Sequence, residues 1–416
     1  MESASFKFVM PFNKLLMPSL LNLERLKSTK DFNFFFSGFF IEKFKDQVQT
    51  MKSLQLPKKI TCVCQDGVNR ILLCKSSDDL RKDRCFLNFA NLFNQAYGGE
   101  IPKVDSMRRN AEELQIDNLT EEKIIAKRRL NPLKVQTYFA CPLSDSYGVI
   151  EWIPGLTPMK VIVEEQYIRT RLSKLCYYTA RNNFTAHIVR HNSKPNKEKR
   201  IEIYLKSLPS FKPSVLHLWF QTQFADAYSW AMAKQNFTRT SAAYSVLGYI
   251  LGLGDRHSEN LLFDPATGEM VQVDFNCLFN RGEDFIVPEC VPFRMTHNME
   301  TAMGVIGYEG QFRHTAEDVL LVLRQYRKLF AKYVTQFIYD PLAEWIENHT
   351  RNDQFRLKSQ YFALKLDFPV SFQEQKQTCT EEDKCPLLGK LIISLRRLRT
   401  PTILVQCIRA GPHIFD

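Results

Sequence analysis

The pattern of apolar and polar positions changes texture along the chain. Residues 1–50 read as helix and loop, with no repeat. From Lys58 the apolar residues gather into short runs. Ile60–Cys64 and Val68–Lys75 flank Gln65-Asp66-Gly67, and a D-G pair between two such runs predicts a hairpin. The charged stretch SSDDLRKDR then leads into LNFANLFNQAYGG, whose apolar spacing predicts an amphipathic helix stopped by glycine. Val135–Ile153 reads as a second strand–turn–strand, and Pro154-Gly155 with Pro158 ends it at a natural hinge. After Thr157 helical spacing dominates, broken by the basic and exposed stretch His191–Arg200. Thr240–Leu253 is a strongly apolar helix that runs into Gly254-Asp255-Arg256-His257. Two small strands follow, Leu261–Phe263 and Met270–Phe275, joined by a turn at Asp264–Gly268. The reading is an α+β chain of two lobes, a small mostly β N-lobe and a larger mostly α C-lobe.

Composition adds limits. A chain of 416 residues can bury a full core and form two lobes, and 44% hydrophobic with 24% charged residues is ordinary for a folded protein. Eleven cysteines, odd in number and scattered without a C-x-x-C pair, do not make a disulfide framework or a zinc knuckle. They fit a reducing compartment, cytosol or nucleus. The net charge of +11 suits an acidic partner, but the basic residues are dispersed among forty-five acids, which disfavours direct nucleic-acid binding. The apolar stretch Phe32–Ile41 is far below the roughly 20 residues that span a bilayer, so no membrane binding is expected.

The chemistry-bearing residues fall in one order. Phosphoryl transfer needs a lysine on the phosphates, oxygens that hold metal, and a carboxylate near the attacking hydroxyl. Asp255 and Asn260 form D-x-x-x-x-N, the spacing of a kinase catalytic loop, although Asp255-Arg256-His257 reverses the usual H-R-D order. Asp274 ends the apolar VQVDF fourteen residues after Asn260, and a short hairpin can bring the two together around magnesium or manganese. Lys75 ends ILLCK, a strand pattern like V-A-I-K, with Asp83 eight residues on at a helix start. A lone Asp-Arg-His is usually a surface ion pair or a helix cap, and a lone strand-end lysine is usually solvated. Their combination favours a functional site. No G-x-G-x-x-G loop precedes Lys75, which points away from the ordinary protein kinases.

On the segments SLQLPKKI (Ser53–Ile60), CKSSDDLRKD (Cys74–Asp83), YILGLGDRHSENLLFD (Tyr249–Asp264), VDFNCLFNRGE (Val273–Glu283) and VPECVPFRMTHNM (Val287–Met299), the chain resembles the phosphatidylinositol 3-kinase-related protein kinases, and within them the ATR checkpoint branch. The resemblance runs from about Met51 to Trp345, and Asp274-Phe275-Asn276 in place of Asp-Phe-Gly favours that branch. It implies the bilobal PI3K/PIKK-type fold, with 1–50 an N-terminal extension or lobe edge, 51–153 the N-lobe and hinge, 154–365 the C-lobe, and 366–416 a divergent tail with a FATC-like end. It implies ATP as substrate with Mg2+ or Mn2+.

By position, the resemblance places Ser53 in a phosphate loop and Lys75 on the phosphates. Asp83 would position Lys75, while Asp78 and Tyr138 line the inner pocket. Ile150, Trp152 and Ile153 make the hinge, and Leu262 with Val273 floors the adenine slot. Asp255 would orient the substrate hydroxyl, His257 support the transferring phosphate, and Asn260 and Asp274 hold metal. Glu289, Pro292 and Phe293 belong to the activation segment, with Glu289 a candidate reader of glutamine in Ser/Thr-Gln substrates. Nuclear checkpoint signalling and an ATRIP-like partner for the full-length family member are implied too. Two departures stand out: the helical-repeat and FAT regions that precede the kinase in this family are not in this sequence, and the ending diverges, with Pro412 where a tryptophan follows the glycine and Phe372–Pro386 without a counterpart.

A lipid kinase acting on phosphoinositides is the first alternative. Such an enzyme needs basic residues in its activation segment to hold phosphates. Between Phe275 and Pro292 only Arg281 is basic, against Glu283, Asp284 and Glu289, which favours a protein substrate. A catalytically impaired fragment acting as an interaction module is the second.

Overall fold

The computed structural model describes residues 41–51, 56–64, 67–76, 79–101, 128, 132–144, 146–170, 213–285, 289 and 291–338. It divides into two compact units. Of the described residues, the first holds those up to Asn88 together with Gln136–Pro154, and the second holds those from Phe89 to Val135 and from Gly155 onward.

The first unit is built on a five-stranded antiparallel sheet in the order β1-β2-β3-β5-β4, with β1 Ile41–Thr50, β2 Lys58–Cys64, β3 Asn69–Ser76, β4 Ala140–Pro142 and β5 Tyr147–Glu151. The expected hairpin forms β2 and β3, with Cys64 N–H to the Val68 carbonyl at 3.2 Å and Gly67 at φ +76°. A left-handed turn of that kind suits glycine. Ile41, Cys62, Cys64, Leu72, Cys141 and Val149 form one buried core to which every strand contributes. One expectation is corrected: Ile41–Thr50 is strand, not helix or loop. It pairs with β2 from Ile41↔Cys64 to Thr50↔Lys58. Only its first residue is buried, so the edge strand carries no apolar period that would reveal it.

Helix α1 (Arg81–Tyr97) starts six residues before the apolar run that predicted it, and its N-terminal half belongs to the first unit.

In the second unit β6 (Thr157–Pro158), β7 (Leu261–Phe263) and β8 (Met270–Gln272) form a small antiparallel sheet. The same unit holds α2 (Met159–Arg169), α3 (Val215–Gln223), α4 (Ala227–Leu251), α5 (His297–Ala302), α6 (Gln311–Gln325) and α7 (Arg327–Ile338). Helix α4 begins thirteen residues before the expected Thr240. Asp226 caps it by accepting the Ser229 N–H at 2.8 Å, a polar start that an apolar count overlooks. From Phe237 to Leu251 almost every side chain of α4 is buried, so it is the central core helix. Phe220, Phe237 and Phe263 pack with ring centroids 5.4–6.1 Å apart, fixing α3, α4 and β7 together. Among the described residues no helix is long and apolar enough to cross a membrane.

Candidate active site

The second unit builds its site at the end of α4. Gly252 closes the helix at φ +63°, and Leu253 N–H returns to the Gly248 carbonyl at 2.8 Å. A Cβ at Gly252 would run into the Asn280 side chain, so glycine is required there by space as well as by conformation. The segment after the hairpin then runs back along the helix end. Gly254 N–H donates to the Cys277 carbonyl at 2.8 Å, Phe279 N–H to Leu251 at 2.9 Å, and Asn280 N–H to Gly252 at 2.8 Å.

The hairpin returns as the sequence predicts, but β8 is shorter than expected. It ends at Gln272, and Asp274 sits at φ +61°. Val273 N–H still donates to the Asn260 carbonyl at 3.1 Å, which brings the Asp274 segment alongside Asn260. Helix α4 holds the base of this hairpin, because Thr240 Oγ1 accepts the Met270 N–H at 3.0 Å. Gly268 lies against the backbone of Ala233.

Asp255 also takes a left-handed conformation, φ +57°. Aspartate tolerates this region better than most residues. Its carbonyl accepts from Asn260 Nδ2 at 2.9 Å, which fixes the amide and leaves Oδ1 as the acceptor end. His257 Nδ1 accepts the Glu259 N–H at 3.2 Å, which holds the imidazole ring. The buried Asn260 and the half-buried Asp274 offer hard oxygens of the kind magnesium takes together with phosphate oxygens. Among the described residues no cluster of three or more His, Cys, Asp and Glu forms an all-protein cage.

Glu289 is placed against the Asp255 loop. Both carboxylate oxygens accept the Asp255 N–H, at 3.1 and 3.0 Å. Burial pushes this carboxyl above its ordinary range, with the Asp255 charge adding to it against the hydrogen bond and nearby arginines. Burial, and after it the same two carboxylates, raises the Cys277 thiol to about 12. Phe293 packs at a tilt against Phe312 of α6, ring centroids 6.1 Å apart, and with Pro292 it lines a cavity beside Arg256 and Gln272. Leu262 lies in β7, opposite Val271.

In the first unit Lys75 lies in β3 opposite Gly148. Gly148 has no room for a side chain, since Leu80 and the Cys141 carbonyl occupy the position a Cβ would take. Asp83 stands in the first turn of α1 and is wholly buried, as Tyr138 nearly is. Ile150 is inside β5, paired with Leu73 and Ala140, and β5 ends at Glu151, so the strand continues two residues into the expected hinge. Trp152 and Ile153 follow it, with Trp152 N–H bonded to the Ile71 carbonyl at 3.0 Å. Ser53 and Asp78 lie outside the described residues, as do Pro288, residues 1–40 and everything from 339 on.

Three participants carry no role in the sequence reading. Lys59 stands 4.3 Å over the Trp152 ring, a cation–π contact. Glu151 accepts the Phe139 N–H at 3.0 Å. Arg256 donates to backbone carbonyls on both sides of the site. Only Arg256 has a sequence signal, its place between Asp255 and His257.

Residues 71–346 match the model of the phosphatidylinositol 3- and 4-kinase family. The chain belongs to that family. It is 37% identical to protein kinase rad3 of Schizosaccharomyces pombe over 346 residues, covering 80% of this chain and 13% of that protein. It is 35% identical to the serine/threonine-protein kinase ATR of Arabidopsis thaliana, over 74% of this chain and 10% of that one. The open conformation of CtTel1 superposes with a TM-score of 0.70 at 25% identity, over 91% of this chain and 13% of that chain. This member of the phosphatidylinositol 3- and 4-kinase family therefore spans only a small part of the length of its relatives. It has the family's kinase-domain fold, an antiparallel-sheet unit and a helical one.

Proposed function

We propose that this chain is the catalytic region of an ATR-like serine/threonine protein kinase, transferring the γ-phosphate of ATP to protein hydroxyls. The observation that carries the reading is the hairpin return that sets Asn260 beside the Asp274 segment, with Asp255 fixed on the same loop. The names of its relatives, rad3 and ATR protein kinases, support protein rather than lipid as acceptor.

Asn260 Oδ1 and the Asp274 carboxylate are the groups that would hold Mg2+, or Mn2+ in its place. When bound, the metal neutralises charge on the phosphates. Asp255 accepts a hydrogen bond from the incoming hydroxyl and orients its oxygen, and His257 donates to the transferring phosphoryl group. Lys75 supplies a positive charge to the phosphates. The resemblance assigns Ile150, Trp152, Ile153, Leu262 and Val273 to adenine, Tyr138 and Asp78 to the inner pocket, and Ser53 to the phosphates.

The family resemblance extends the proposal to Ser/Thr-Gln sites, checkpoint signalling in the nucleus and an ATRIP-like partner. A glutamine amide offers a donor and an acceptor together, so a pocket matched to it rejects residues lacking them. The test is transfer from labelled ATP by the purified chain to matched Ser-Gln and Ser-Ala peptides, beside an Asp274→Ala control. Selective labelling of Ser-Gln, absent in the control, is expected. Equal kcat/KM for both peptides removes the specificity, and efficient labelling of phosphoinositide instead overturns the protein-kinase reading.

A further inference from the structure

Arg256 is only 8% exposed, and three of its guanidinium hydrogen bonds go to backbone carbonyls. Nε donates to the Gly254 carbonyl at 3.0 Å, and Nη1 to the Val273 carbonyl at 2.8 Å. Nη2 donates to the Asp274 carbonyl, and the group lies 5.4 Å from the centre of the Phe275 ring. The three acceptors belong to the two segments that carry Asp255 and Asp274. Both aspartates have left-handed backbones, at φ +57° and +61°. Aspartate tolerates that region better than most residues but still at a cost, so two such residues point to surroundings that hold them there. The planar fork can span two chains at fixed spacing, which the compact ammonium of lysine cannot.

We propose that Arg256 is a positioning residue, a strap that locks the Asp255 loop to the Asp274 segment and so sets the spacing of the two carboxylates. This rests on the kinase reading above. The guanidinium acts by holding the carbonyls of Val273 and Asp274 and, through Gly254, the backbone leading into Asp255. These three acceptors are backbone carbonyls, and arginine keeps its charge at any working pH, so neither end of these three bonds titrates.

The test uses Arg256→Lys and Arg256→Ala in the purified chain. Circular dichroism checks folding, and hydrogen exchange is followed by mass spectrometry over residues 252–260 and 270–280. Exchange in both peptides is expected to quicken at least tenfold in each variant, while α6 is unchanged. With labelled ATP, kcat falls at least tenfold with KM for ATP within about threefold, and added guanidinium partly restores Arg256→Ala but not Arg256→Lys. Unchanged exchange in folded Arg256→Lys overturns the strap. Loss of the folded state in both variants overturns it too, since Arg256 would then serve the core at large. If the unaltered chain transfers no phosphate, the functional reading fails, and the exchange arm still decides whether Arg256 joins the two segments.

Discussion

The carboxylate of Glu289 accepts the backbone N–H of Asp255 through both of its oxygens, at 3.1 and 3.0 Å, from thirty-four residues further along the chain. A buried N–H left without an acceptor costs about 1–3 kcal/mol. Here that cost would fall on a residue already in a left-handed conformation. Glu289→Ala should therefore lower kcat at least tenfold, and Glu289→Gln, which keeps one acceptor oxygen, should lower it less. The two roles of Glu289 separate cleanly with paired peptides. Loss of backbone support reduces turnover of Ser-Gln and Ser-Ala alike, whereas loss of a glutamine reader reduces only the first. Wild-type kcat in Glu289→Ala would remove the supporting role.

Asp274 is the residue with the sharpest expected effect. Its carboxylate stands on a backbone held by Arg256, beside the Asn260 it is proposed to share metal with. Asp274→Asn keeps the size and removes one charge. A lost electrostatic contact of about 2.7–4 kcal/mol corresponds to roughly a hundredfold to a thousandfold in rate. Turnover measured at saturating magnesium should fall by that order. Near-normal turnover there would show that Asp274 is not a metal ligand.

Lys75 is half-buried in β3, with Gly148 as its register partner. Lys75→Ala should abolish transfer while leaving the melting temperature within a few degrees, because truncating a partly exposed charge usually changes stability by about 0.5 kcal/mol or less. A folded variant with an unchanged rate would refute a phosphate contact.

Gly148 gives a test of the sheet itself. Its hydrogen leaves just enough space for Leu80, and the Cys141 carbonyl lies 2.8 Å from where a Cβ would be. Gly148→Ala has backbone on one side that cannot yield, so it should destabilise by about 1–3 kcal/mol, as overpacked sites do. Denaturant titration reads this directly, and an unchanged midpoint would mean that β4 and Leu80 shift without cost.

A strong apolar period makes an element legible in the amino-acid sequence: the β2–β3 hairpin, α1, the core of α4, and the β7–β8 return that carries Asn260 and Asp274. Strand β1 is not legible, because a single buried residue in ten leaves its existence to pairing with β2. VQVDF reads as strand through Phe275, yet the ladder stops at Gln272, where the Val273 and Asp274 carbonyls turn to Arg256. Local propensity cannot anticipate that, since the guanidinium arrives from seventeen residues earlier. The same holds for Glu289, which the resemblance assigns to the activation segment but whose partner, a backbone N–H, leaves no mark in sequence. Residue types and their order are readable; the long-range hydrogen bonds that orient them are not.

Glu151 supplies a prediction in pH. It closes β5 beside Trp152, and its Oε2 accepts the Phe139 N–H at 3.0 Å. Burial holds its carboxyl above the ordinary value of 4.5, outweighing that hydrogen bond and the nearby Arg70. A carboxyl whose pKa is raised by folding binds its proton more tightly in the native chain than in the unfolded one. Stability from this group is thus full below 4.5 and declines as pH rises through the raised value, because the charged form must then be kept in the buried site. Glu151→Gln removes the titration while its amide oxygen can still accept the Phe139 N–H. The melting temperature of the variant minus that of the wild type should therefore grow as pH increases above 4.5, and level off once Glu151 is ionised in the folded chain. Taking the difference cancels the acid denaturation that both proteins share. A difference that stays flat, or shrinks toward neutral pH, would show that the site stabilises the carboxylate and that burial is not the larger influence on Glu151.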